Sequence, residues 1–130
     1  MKSIVASILI SGLLIGAAFA FNALRVSPNS FSQDANNVSI VDGKQIITIG
    51  AKGGYFPKIT NAKAGMPTVI KVGTRGTFDC SSALTIPSLG ISKNLPPTGE
   101  TETEVPPQEV GTAMRGFCAM GMYNLSVNFK

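Results

Sequence analysis

The chain has 130 residues, 44% of them hydrophobic and only 14% charged, with a net charge of +4, two cysteines, five methionines and no histidine. With no imidazole base, no Cys-x-x-Cys redox pair and no carboxylate pair placed for acid–base work, the composition points away from an enzyme. Its basic residues are scattered rather than interleaved with aromatics, which argues against nucleic acid as a partner.

Residues 1–24 do not read as part of a fold. After Lys2 the run from Ser3 to Leu24 carries no charge. As a helix it spans about 33 Å, close to one bilayer core, which suits a transmembrane anchor. The alternative is a cleaved signal peptide, since Ala18-Phe19-Ala20 fits a small-x-small cleavage site. Either reading puts the remainder outside the cytoplasm. Residues 25–43, with Pro28 and several serines and asparagines, read as a polar linker. That leaves about 85 residues, a marginal core that a covalent or metal cross-link would help.

From residue 44 onward the chain is punctuated like an all-β domain. Residues 45–51 form a β-branched run closed by Gly53-Gly54. The turn Ala64-Gly65-Met66-Pro67 leads into 68–74, where Ile70 and Val72 share one face and Val69, Lys71 and Gly73 the other. Another short apolar run covers 84–86. In 100–105 the three glutamates alternate with threonines, a half-exposed strand with a solvated acidic face. A hard-metal site there is disfavoured, because like charges stand adjacent without a backing histidine or aspartate. Pro106-Pro107 turns the chain again before two final strands, 112–118 and 123–129; in the latter, Leu125, Val127 and Phe129 face one way. About seven short strands with frequent turn signals predict a β-sandwich.

The distinctive stretch is Cys118-Ala119-Met120-Gly121-Met122, one thiol and two thioethers at spacings of two, on one face of an extended backbone. The other cysteine, Cys80, lies in Phe78-Asp79-Cys80-Ser81-Ser82. Thiolate and thioether donors without imidazole suit a soft monovalent ion, above all Cu(I). Two cysteines in an exported protein also read as a disulfide, and closing a loop of about 39 residues stabilises by about 4 kcal/mol. Met66 and Met114 read as packing residues. Met120 and Met122 flank a glycine at a strand end, where a buried core is least expected. Two readings stay open: a Cu(I) site, or a disulfide-stapled β-sandwich acting as a metal-free interaction module.

Tyr55-Phe56-Pro57, then Ala64-Gly65-x-Pro67, a cysteine loop at Cys80, a proline-rich turn and Cys-x-Met-x-Met before a last strand resemble the cupredoxin superfamily. More narrowly, they resemble the membrane-anchored Cu(I) chaperones of bacterial copper export. The resemblance covers residues 44–130 and implies a cupredoxin-like Greek-key β-sandwich, with Cys80, Cys118, Met120 and Met122 as metal ligands. It implies one or two Cu(I) ions, the first held by the cysteines and the second, weaker, by the methionines with bridging thiolates. It further implies a monomeric copper chaperone or scavenger on the outer face of the cytoplasmic membrane, or periplasmic if cleaved, passing copper to a P-type ATPase exporter. Blue-copper electron transfer needs a His2Cys set and is excluded. Where the family usually has aromatics ahead of the ligand cysteine, this chain has Met114 and Gly116; the approach to Cys118 is one residue long, which predicts a β-bulge at Gly116.

Overall fold

The computed structural model describes residues 37–130. The anchor or signal segment 1–24 and most of the linker 25–43 lie outside the described residues. Ten strands follow one another: β1 (Val38–Val41), β2 (Lys44–Ala51), β3 (Tyr55–Phe56), β4 (Ile59–Ala62), β5 (Thr68–Thr74), β6 (Ala83–Ile86), β7 (Ile91–Asn94), β8 (Gly99–Val105), β9 (Ala113–Cys118) and β10 (Asn124–Phe129). They form two five-stranded sheets, one in the order β1-β2-β5-β8 with β3 beside β2, the other β4-β10-β9-β6-β7. The all-β expectation holds: the helical residues described are two 3-10 turns, Cys80–Ser82 and Pro87–Leu89.

Strand β1 lies inside the segment read as linker. Its pairing with β2 closes on Asp42-Gly43, both with positive φ (50° and 76°), which matches the right-handed strand twist. The Asp-Gly signal stood in the sequence, but the serines and asparagines ahead of it masked the short strand. β2 then pairs with β5 in parallel from Gln45↔Thr68 to Ala51↔Thr74, and β5 with β8 antiparallel.

The alternating patterns translate directly into a core between the sheets. Ile47, Ile49, Ile70, Val72 and Val105 from one sheet, with Leu84, Ile86, Met114, Leu125, Val127 and Phe129 from the other, are at most 2% exposed. Fully burying each such side chain contributes about 1.5–3 kcal/mol. Gln45 is buried among them without cost, because its amide donates to Lys63 O and Thr68 Oγ1 and accepts from Lys63 N–H. On the outer face, Lys71 sits opposite Glu102 and pairs with both Glu102 (3.1 Å) and Glu100 (3.5 Å). The acidic face is therefore partly neutralised across the strands.

The expected bulge at Gly116 is absent. β9 and β10 pair without interruption from Ala113↔Asn128 to Phe117↔Asn124, with Gly116 opposite Leu125. A Cβ at Gly116 would stand 3.1 Å from Leu125 Cγ and 3.2 Å from Leu84 Cδ1. The two leucines occupy the volume a larger side chain would need, so a glycine here is a packing requirement rather than a sign of an extra residue.

Candidate metal centre

The strand register brings the two cysteines together. β6 pairs antiparallel with β9, placing Leu84 opposite Cys118 at the end of β9. Cys80 lies just ahead of β6 and opens the 3-10 turn Cys80–Ser82, which carries it back towards that strand end. The Cα atoms of Cys80 and Cys118 are 5.6 Å apart and their sulfurs are joined as a disulfide.

Each cysteine is held by its own local structure. Asp79 caps the 3-10 turn: Oδ1 accepts from Ser81 N–H at 2.8 Å and from the Ser81 hydroxyl. Its other oxygen accepts from Gly53 N–H at 2.9 Å, tying the cysteine loop to the turn between β2 and β3. The hydroxyl of Ser81, then the backbone donors of Ser81 and Gly53, hold the Asp79 carboxyl below its ordinary 3.8, against an opposing effect of burial. On the other side, the hairpin from β9 to β10 closes with Cys118 N–H donating to Tyr123 O at 3.0 Å and Gly121 N–H to Cys118 O at 2.9 Å. Gly121 takes φ +71°, where a side chain is strained. Tyr123 N–H points at Cys118 Sγ at 3.4 Å, a donor suited to negative charge on that sulfur.

Beneath this end lies Tyr55, fully buried, whose hydroxyl donates to Ala83 O at 3.1 Å. Burial, and secondarily the Asp79 charge, push its phenol up to about 12. It stays a neutral hydrogen-bond donor that ties β3 to β6.

Of the four ligands expected from sequence, Cys80 and Cys118 are brought into direct contact. Cys118 is only 2% exposed, whereas Met120 and Met122 project from the hairpin at 80% and 65% exposure. Phe78, two residues from Cys80, is 81% exposed. Met114 packs in the core and Met66 is half-buried in its turn. Among the described residues no group of three or more histidine, cysteine, aspartate or glutamate side chains is placed to hold a metal ion. Only in the reduced form would Cys80 and Cys118 offer thiolates, which like the thioethers are soft donors. Sequence reasoning missed Asp79, although Asp-x-Ser is a capping signal. It missed Tyr123 because the donor is a backbone N–H, to which the side chain is no guide.

Two packed sheets, with a cysteine ending the penultimate strand joined to a second one ahead of a neighbouring strand and two methionines on the exposed hairpin, define a β-sandwich. The chain belongs to the cupredoxin-like domain family, whose model matches residues 14–126. Among solved structures it is similar to the metal-binding domain of the Cu(I)-exporting P-type ATPase CopA of Streptococcus pneumoniae D39, determined with Cu(I). That likeness is 26% identical with a TM-score of 0.65, over 72% of this chain and 92% of that one. It also shares its fold with a copper-binding protein solved in the apo form by NMR, at 22% identity and TM-score 0.66, over 76% of this chain and 100% of that one. No curated protein sequence matches the chain.

Proposed function

We propose that this protein is an extracytoplasmic Cu(I) carrier that binds copper as cargo through Cys80 and Cys118 and hands it on through Met120 and Met122. The observation that carries this reading is the meeting of a strand-end cysteine, Cys118, and a cysteine from the 3-10 turn ahead of β6, Cys80, at the root of a hairpin that holds two thioethers in solvent. Once reduced, two thiolates at this separation form a tight, soft, low-coordinate site that favours Cu(I) over Cu(II). Thioethers are neutral, need no deprotonation and release more readily, which suits the exit side of a transfer. The likeness to the metal-binding domain of a Cu(I) exporter supports a copper-export setting, with a P-type ATPase as acceptor. The uncharged run from Ser3 to Leu24 supports tethering at the outer face of the cytoplasmic membrane, or export after cleavage. A binding role rather than catalysis accords with the lack of histidine.

The disulfide favours one second reading, a stapled interaction module in which the methionines are a sticky apolar patch. Anaerobic titration of the fully reduced chain with Cu(I) against a chromophoric chelator separates the two. The carrier reading expects stoichiometric uptake that falls by orders of magnitude in Cys80→Ser and in Cys118→Ser, with no intense blue colour on adding Cu(II). Unchanged affinity in the Cys80→Ser/Cys118→Ser double variant refutes the ligand assignment.

A further inference from the structure

We propose that the metal-free protein is the substrate of a dithiol reductant that attacks Cys80 and releases Cys118, so that reduction is the step that opens the site to metal. The gating of copper rests on the carrier reading above; the direction of the thiol chemistry does not.

A disulfide offers no thiolate, and a soft cation needs its cysteine ligands deprotonated. With Cys80 and Cys118 joined, the domain keeps its fold and its methionines but lacks both anionic donors. Something must supply two electrons before a cation can be held between them.

The two sulfurs are not equivalent. Exchange requires a thiolate to reach one sulfur while the other departs with the bonding electrons, so access and stabilisation of the departing sulfur choose the direction. Cys118 ends β9, is 2% exposed and is roofed by the hairpin to Tyr123. Cys80 is half-buried in a loop whose preceding residues, Phe78 and Asp79, are both exposed. The Tyr123 N–H aimed at Cys118 Sγ gives the departing sulfur a donor that is in place before the bond breaks. Among the described residues no hydrogen-bond donor reaches Cys80 Sγ, and the Asp79 carboxylate that precedes it is occupied by Gly53 and Ser81. Access and charge stabilisation therefore select the same outcome, with the exposed Phe78, two residues ahead of Cys80, as an apolar footing for the incoming partner.

The reductant's first thiolate forms a bond to Cys80 Sγ, the Cys80–Cys118 bond breaks, and its electron pair goes to Cys118 Sγ. The reductant's second thiol, losing its proton to solvent, attacks the first and expels Cys80. The reductant ends as a disulfide, and Cys80 and Cys118 have gained two electrons as thiolates that take up protons or a cation.

The test uses the full chain, oxidised with diamide, and a thioredoxin-type dithiol protein whose second cysteine is replaced by serine, so that the mixed disulfide cannot resolve. After acid quenching and alkylation of free thiols, peptide mapping reads which cysteine carries the reductant. The expected result is an excess of about tenfold or more of reductant on Cys80, with Cys118 alkylated. Equal labelling, a preference for Cys118, or two free thiols persisting after diamide would overturn the proposal. In parallel, Cu(I) is titrated into oxidised and fully reduced chain. Uptake by the reduced form alone supports gating, and equal uptake by the oxidised form refutes it. If neither form takes Cu(I), the carrier reading fails, while the mapping still decides the direction of attack.

Discussion

The most informative perturbation is removal of the Cys80–Cys118 bond, because it separates what the cross-link does for the fold from what the sulfurs do for metal. The bond spans a sequence separation of 38 residues. On the chain-entropy model, closing a loop of that length removes about 4 kcal/mol of freedom from the unfolded chain, roughly a thousandfold in the folded-to-unfolded ratio. The native geometry gives little reason for an offset. The pairing of Leu84 with Cys118 and the Asp79 cap position both ends independently of the sulfurs. The full chain is unfolded in guanidinium in three forms: oxidised, reduced, and Cys80→Ser/Cys118→Ser. The reduced and double-serine forms should coincide, both about 4 kcal/mol below the oxidised form, or roughly 15–30 °C lower in a thermal scan. Cu(I) should raise the reduced form and leave the serine variant unmoved. If the double-serine form unfolds with the oxidised one, the cross-link does not constrain the unfolded chain and the reasoning fails.

Gly116→Ala should cost about 1–3 kcal/mol through crowding of Leu84 and Leu125, read as a lower denaturation midpoint; a neutral effect would mean these leucines repack freely. For Asp79, the folded carboxyl sits below 3.8, so the stability it adds is present above that value and is lost as pH falls through the lower folded value. Asp79→Ala should therefore lose on the order of 1 kcal/mol at neutral pH, the usual cost of a missing cap, and the gap to wild type should close in acid; a gap that persists at pH 2 would contradict this. Met120→Leu/Met122→Leu should keep the fold and the first Cu(I) ion but lose any weaker second ion and slow transfer to an acceptor, measured by chelator competition and stopped-flow. Tyr55→Phe should cost about 1 kcal/mol by leaving Ala83 O without its donor, checked by the same unfolding assay.

The sandwich was legible in sequence wherever alternation was clean. Ile70 and Val72, or Leu125, Val127 and Phe129, are buried on the face their spacing predicted. Alternation failed at short edge elements. The four-residue β1 was hidden behind a polar stretch, and β3, β4 and β7 are too short to show a period. Gly116 misled because a glycine in a strand reads as a bulge, whereas its role is set by Leu84 and Leu125, which lie far from it along the chain. The soft character of the site was legible in Cys118-x-Met120-x-Met122 and the lack of histidine. The nearness of Cys80 depends on the β6–β9 register, and the donor to the Cys118 sulfur is a backbone N–H, which no residue identity announces.

The row of glutamates on β8 has a consequence for how copies of the protein coexist. β8 is an outer strand seven residues long, the kind of border onto which another chain can add itself. Glu100, Glu102 and Glu104 are exposed along it, and Lys93 Nζ donates to Glu102 O at 2.9 Å, occupying that carbonyl. A second copy approaching in the same way would set its own glutamates against these at close range, where like charges repel. At high concentration the like charges along this border disfavour edge-to-edge pairing of two copies, without any bulky shield.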